Sequence, residues 1–504
     1  MSDKKSYDQV FRSAYVTGGS NGVQYLAGFI QIKVIAILLG PSGIGLISLY
    51  RSIFTIIATI AAFGINRSSV REIAKASAID DKQGISKINL TLKRLCWVTG
   101  VFGWIGTMLL SGLISEWVFQ SPDYSKIITL LGVIALITII RNGHFSLLQG
   151  MRRINDLARI NIGSALINMV VSVFLYLWLG EQGIVPVLIS TAIITLLISW
   201  WFTRQIELPV IKLTTKEMFS NSKILLRLGF AFLISSLIMT SSDVVIKSMI
   251  IREFGLDEVG YYQAAWSISG LFAGFILGSM GMDYYPRLTG VIDNRFSAIK
   301  CVNEQTEIGI LMAVPILVST IVFSSSILQL LYSSEFTRSD ELLVYFAIGV
   351  FGRIVGWPMG FIMLATSSSK LYMFTEVLFG IINISLVFWM LPKLGVISIA
   401  YAMMINYALY ILFMLRVGRR LIGFSWSKGV NALVLRSVII IFISYGIFSL
   451  LNGWIYIVSS ISFVIFVTTL SIKGLLIRFG SDHKLYKIFT KSPLMEKILN
   501  LKKI

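Results

Sequence analysis

Charge is what this 504-residue chain has least of: 14% of its residues are charged, and the acidic ones are scarcer, 25 against 44 Lys and Arg. A folded domain of this length in water needs more charged surface than that, so a soluble globule is excluded. Its two cysteines, Cys96 and Cys301, fall near predicted span ends on the same side, which rules out a disulfide framework and a thiolate metal cage. His144 and His483 are the only histidines and stand far apart in sequence, so no metal site is expected, and no cofactor. No nucleophile with an adjacent acid or base can be picked out, so the chain does not read as an enzyme. The period-2 alternation of a membrane β-barrel is also missing.

What is present is hydrocarbon. Apolar residues make up 56% of the sequence, and mean hydropathy is +0.80. Apolar runs of roughly 20 residues recur, each long enough to cross about 30 Å of lipid as a helix. The expected fold is an all-α polytopic membrane protein of about 14 transmembrane helices, the first two near residues 16–39 and 43–66. Met1 to Arg12 is polar, and the apolar segment after it is long and lacks a small-residue cleavage site, so the first span is expected to be retained. Most Lys and Arg gather in alternate segments, which predicts that both termini are cytoplasmic. The net charge of +19 therefore reads as orientation, and no nucleic-acid partner is expected. The loop carrying Arg71, Lys75, Lys82, Lys87, Lys93 and Arg94, and the tail from His483 to Ile504, fit basic amphipathic helices on the inner leaflet. They fit plain topology signals equally well.

An internal repeat organises the spans. Leu39–Ile53 (LGPSGIGLISLYRSI) and Phe254–Ile268 (FGLDEVGYYQAAWSI) align at an offset of about 215 residues, which places Gly40, Gly45 and Ser52 over Gly255, Gly260 and Ser267. The same offset puts Asn168 over Asn383, Gly180 over Gly395 and Arg204 over Arg419. Two pseudo-symmetric six-helix lobes follow, residues 1–215 and 216–425, with two additional transmembrane helices in 426–480 and a basic cytoplasmic tail in 481–504.

Ionisable residues inside spans are few: Lys33, Arg51, Arg141, Asp243, Lys247, Arg353 and Glu376. Each costs about 2.5–3.5 kcal/mol at mid-bilayer, so the five basic ones cannot all face lipid. Arg51, about two turns into its span, and Arg353, about halfway along its own, are expected to line a cavity. Lys33 and Lys247 occupy nearly equivalent repeat positions, before Gly40 and Gly255, and suggest paired cations. Arg141 fits either a cavity role or a side chain reaching for the interface. Asp243, one turn before Lys247, has the spacing of an ion pair and is also the candidate for ion coupling. A multidrug antiporter would need interior carboxylates, whereas this interior is mainly cationic and suits a phosphate-bearing substrate.

With these residues in hand, the chain resembles the Wzx-type O-antigen and polysaccharide flippases of the multidrug/oligosaccharidyl-lipid/polysaccharide (MOP) exporter superfamily. The resemblance is carried by LLGPSGIGLISLYRSI (Leu38–Ile53), LDEVGYYQAAWSIS (Leu256–Ser269), YYPRL (Tyr284–Leu288), SSEFT (Ser333–Thr337) and LYMFTEV (Leu371–Val377). It covers most of the chain to about Arg420. It implies two lobes forming a V, in the bacterial inner membrane. It also implies alternating-access transport of undecaprenyl-pyrophosphate-linked oligosaccharide from the cytoplasmic to the periplasmic leaflet, driven by membrane potential, H+ or Na+. Lys33, Arg51 and Arg353 match basic positions of similar flippases, and membrane lipids and polysaccharide polymerase machinery are the implied partners. The alternatives are a cation-coupled multidrug exporter on the same fold and, further off, a membrane O-antigen polymerase or ligase. The two extra C-terminal spans depart from members with 12 spans.

Overall fold

The structure, a computed structural model, describes residues 2–479, with side chains from Gly22 onward except at a few positions between 215 and 283. The expected tail, 481–504, lies outside the described residues. Helices α1 (Ser2–Ala62), α2 (Ile65–Ala78), α3 (Lys82–Phe119), α4 (Ser125–Gly150), α5 (Ile154–Leu179), α6 (Ile184–Arg204) and α7 (Thr215–Phe254) come first. They are followed by α8 (Leu256–Val291), α9 (Arg295–Val322), α10 (Ser324–Leu331), α11 (Asp340–Ala365) and α12 (Ser369–Leu394). The last three are α13 (Ser398–Ile422), α14 (Lys428–Leu450) and α15 (Gly453–Phe479). No strand occurs among the described residues.

Ten helical stretches are long and apolar enough to cross a membrane, and two of these are double. Gly22–Ala62 runs for 41 residues, about 60 Å of helix against a hydrocarbon layer of about 30 Å. It breaks at Gly40, whose φ of 63° only glycine adopts at no steric cost, followed by Pro41, which has no N–H to give the ladder. Ile154–Arg204 likewise comprises α5 and α6, joined by a turn at Gly180–Gly183. With α7 and α8, each also long enough to cross, the helices accommodate the expected number of spans. The protein is a multi-pass, all-helical membrane protein.

The chain divides into two compact units. The first comprises Met1–Gly260 with Leu331–Ser333, and the second Tyr261–Leu330 with Ser334–Ile504. In the first, α1 packs along α4, α5 and α7. Two close backbone approaches set that packing. A Cβ on Gly45 would stand 3.0 Å from the Gly260 amide nitrogen, and one on Gly260 would run into the Pro41 carbonyl. At the other end of α1, Gly64, with φ of 68°, meets the backbone of Gly229 on α7. A capping box starts α7: Glu217 N donates to Thr214 Oγ1 at 3.3 Å and Thr214 N donates to Glu217 Oε2 at 3.0 Å. The bonds that Thr214 N and Thr214 Oγ1 donate to Oε2 hold the exposed Glu217 carboxyl below the usual carboxylate range.

The segment 67–94 is helical apart from the turn at 79–81. It is α2 and the first turns of α3, and α2 buries Ile65, Ser68, Ser69, Ile73 and Ala76 while packing on α3, α4 and α7. Its inner face is therefore spent on protein. Arg67, Arg71 and Lys75 remain exposed.

In the second unit, Tyr284, Leu288, Met359, Ile362, Met363, Met414 and Phe424 form a core, with Tyr284 Oη donating to the Pro358 carbonyl at 2.8 Å. Helices α14 and α15 both pack on α9. Buried Asn303 on α9 clamps the segment before α14: its Nδ2 donates to Ser425 O at 3.1 Å and its Oδ1 accepts from Ser427 N at 2.8 Å. Arg478 closes the far end of α15 on Glu307 of α9 at 2.5 Å.

Candidate functional site: a cationic cavity

One face of α1 carries Arg51, Phe54, Thr55, Ala58, Thr59 and Ala62, at i, i+3, i+4, i+7, i+8 and i+11. A matching face of α4 carries Ile134, Thr138, Arg141, Asn142, Phe145, Ser146 and Gln149. Both stripes line one cavity of about 760 Å³ inside the first unit. Asn66, Arg67 and Val70 of α2 line it too, together with Asn168 of α5, Thr191 and Thr195 of α6, and Leu233 and Ser236 of α7. Three of the lining residues are arginines, Arg51, Arg67 and Arg141, and none is Asp or Glu among the described residues.

Arg141 is held in place rather than neutralised. Its Nη2 and Nε donate to Asn142 Oδ1 at 2.7 and 3.2 Å, and the guanidinium sits 5.5 Å from the centre of the Phe145 ring. Fixing the plane of a guanidinium in this way lowers the entropy lost when it grips a carboxylate or phosphate. The surrounding hydroxyls are turned the other way. Thr55 and Thr59 donate to the carbonyls one turn back on α1, at 2.6 and 2.7 Å, and Thr195 donates to Thr191 O at 2.8 Å. Their protons are spent inside the helices, so the oxygens can accept from a ligand's hydroxyls. Asn168 donates to Thr195 Oγ1 at 3.3 Å, and its Oδ1 has no partner.

Among the residues singled out from sequence, Arg51 and Arg141 meet in this cavity. Lys247 does not line it. Its side chain is 5% exposed, and its ammonium donates to Asp243 Oδ2 and to Ser52 Oγ, each at 2.9 Å. Ser52 also donates to Asp243. Asp243 and Lys247 thus form the ion pair that their spacing suggests, and Ser52 joins them in a triad between α1 and α7. Lys33, half-buried before the Gly40 break, is not among the lining residues either. Arg353 belongs to the second unit, midway along α11. Arg67, one residue past the second predicted span, also lines the cavity. Its signal was available as the short amphipathic period of α2, and the neutral polar lining as the i, i+4 series of Thr55 and Thr59 and of Asn142 and Ser146.

The fold and cavity define a polytopic helical membrane protein, and the comparisons give the family. The chain belongs to the polysaccharide biosynthesis protein family, whose model matches residues 10–291. It is similar to the lipid III flippase of Escherichia coli (strain K12), 22% identical over 78% of this chain and 94% of that protein. Two solved structures share the fold. One is a multidrug resistance MATE family transporter of the MOP superfamily in an inward-facing conformation, 16% identical with a TM-score of 0.69 over 81% of this chain and 95% of that one. The other is the lipid II flippase MurJ in an inward closed conformation, 15% identical with a TM-score of 0.65 over 92% and 98%. The resemblance to Wzx-type flippases, drawn from the sequence motifs, agrees with these findings.

Proposed function

We propose that the protein is a flippase, not an enzyme, and that it carries a lipid-linked oligosaccharide whose linkage is a diphosphate. The observation that carries this reading is the cavity bearing Arg51, Arg67 and Arg141 without a carboxylate in its described lining. A cation exporter would need the opposite sign there. The many neutral acceptors and amides around the arginines suit sugar hydroxyls, and no bond needs to be made or broken. Family membership and the similarity to a lipid III flippase support the same substrate class.

The finer reading is that the lipid is undecaprenyl pyrophosphate, that the glycan is an O-antigen-like repeat unit, and that it moves from the cytoplasmic to the periplasmic leaflet of the inner membrane by alternating access. Both termini are cytoplasmic on this reading, and polymerase machinery on the periplasmic side takes up the product. With about two negative charges on the headgroup, an inside-negative potential of about 100 mV favours outward movement by about 4–5 kcal/mol if the charges cross the whole field. Arg353 is proposed as a cation that the headgroup meets in the second unit. The Asp243–Lys247 pair is proposed as a structural link that carries no coupling ion.

The test is complementation of a flippase-null strain. The wild-type gene restores surface polysaccharide, and Arg51→Ala and Arg141→Ala fail to do so at normal protein levels. Full restoration by both Ala variants would remove these cations from the mechanism.

A further inference from the structure

Resting on the reading of the cavity as a phosphorylated-lipid site, we infer that α2 is the electrostatic entry ramp to that cavity, with Arg71 the residue that first holds the headgroup and passes it to Arg67.

Helix α2 has two rows. Ile65, Ser69, Ile73 and Ala76, at i, i+4, i+8 and i+11, are buried. Arg67, Arg71 and Lys75, at i, i+4 and i+8, are exposed along another side. Arg67 is already part of the cavity wall, and Arg71 stands one turn, about 6 Å, further out along the same row. Lys75 is held to Glu72 at 2.7 Å and adds little net charge, which leaves Arg71 as the outward cation of the row. Inside the cavity the series continues. Arg141 lies midway along the α4 stripe, and Arg51 lies 11 residues before the end of α1 at Ala62, about 16 Å of helix.

The row cannot swing away from the cavity. Ser68 Oγ donates to the Leu225 carbonyl at 2.9 Å, and Ser146 Oγ donates to the Asn66 carbonyl at 3.0 Å, pinning α2 to α7 and to α4. A Cβ on Gly150 at the end of α4 would collide with Ile73, so α2 sits directly against that helix. A fixed row of like charge leading into a pocket of the same sign raises the local concentration of an opposite charge and speeds capture, and salt weakens the effect. An anion entering past Arg71 meets rising positive potential at each step.

The ligand chemistry is a phosphorylated lipid headgroup, and the source is either a prenyl diphosphate or the bulk anionic phospholipid. The experiment uses the full chain in nanodiscs of zwitterionic phosphatidylcholine, with farnesyl diphosphate as probe and stopped-flow fluorescence as readout. Arg71→Gln is expected to lower the association rate about three- to tenfold at low ionic strength, leave the dissociation rate unchanged, and converge on wild type at high salt. Arg71→Lys, which keeps the charge, is expected to keep the wild-type rate. Adding phosphatidylglycerol to the disc is expected to leave the difference between wild type and Arg71→Gln in place. Equal rates for wild type and Arg71→Gln at low salt would overturn the ramp. So would a wild-type rate that phosphatidylglycerol brings down to that of Arg71→Gln, which would give the row to bulk lipid. Failure of the wild-type protein to bind the diphosphate at all would instead overturn the reading of the cavity.

Discussion

Lys247 and Asp243, one turn apart on α7, form an ion pair at 2.9 Å that Ser52 of α1 joins from across the helix interface. The ammonium is buried while the carboxylate side chain is 33% exposed, so the two partners are unequal. Removing the carboxylate charge strands a buried ammonium, whereas removing both charges leaves a neutral contact.

Asp243→Asn is therefore expected to destabilise the first unit by about 3 kcal/mol. Asp243→Asn combined with Lys247→Met is expected to recover most of that loss. Thermal unfolding in detergent of the two single variants and the double variant checks this. Additive losses in the double variant would show that the pair is not a unit.

Gly45 lies where a Cβ would come within 3.0 Å of the Gly260 amide nitrogen. Backbone cannot yield as a side chain can, so Gly45→Ala should separate α1 from the start of α8 and cost about 1–3 kcal/mol. Gly28→Ala, where a Cβ meets nothing within 4 Å, serves as the control and should leave unfolding unchanged.

How much of this could be read from the sequence depends on the kind of signal. Gly40 and Pro41 announce the break in α1, because a helix cannot pass a positive φ and a missing N–H unmarked. Arg51 and Arg141 were legible because a charge within an apolar run has few places to go. Lys247 differs from them already in sequence, because Asp243 stands one turn before it at the spacing of an ion pair. What the spacing does not show is Ser52, 195 residues away, whose hydroxyl completes a pocket for the ammonium. For Arg67 the amphipathic period of α2 was legible but its place in the cavity wall was not. A basic residue in a polar stretch carries no cost that demands an explanation, and only the packing of α2 on α4 brings it to the cavity wall.

Asn303 holds the segment before α14 with one donated and one accepted bond. Asn303→Ala leaves the Ser427 amide and the Ser425 carbonyl unpaired and is expected to cost about 2 kcal/mol. Limited proteolysis checks it: cleavage within 423–427 should rise while the rest of the chain keeps its wild-type pattern.

Arg353 lies midway along α11, which packs on α13, and a Cβ on the adjacent Gly352 would fall 3.0 Å from Tyr407 Cβ. As a proposed contact for the headgroup, Arg353→Ala is expected to reduce polysaccharide export on the order of tenfold or more, and Arg353→Lys to retain a measurable part. Quantified surface polymer at matched protein levels checks it.

The most direct measurement is transport by the purified protein in liposomes under an imposed potential. A fluorescent prenyl-diphosphate oligosaccharide supplied in one leaflet is followed by its appearance in the other. Wild-type protein is expected to move it, and Arg51→Ala and Arg141→Ala to be slower on the order of 10- to 100-fold, the loss of a charge-assisted hydrogen bond to a phosphate. Unimpaired transport by both variants, or wild-type transport of a cationic dye in place of the diphosphate, would contradict it.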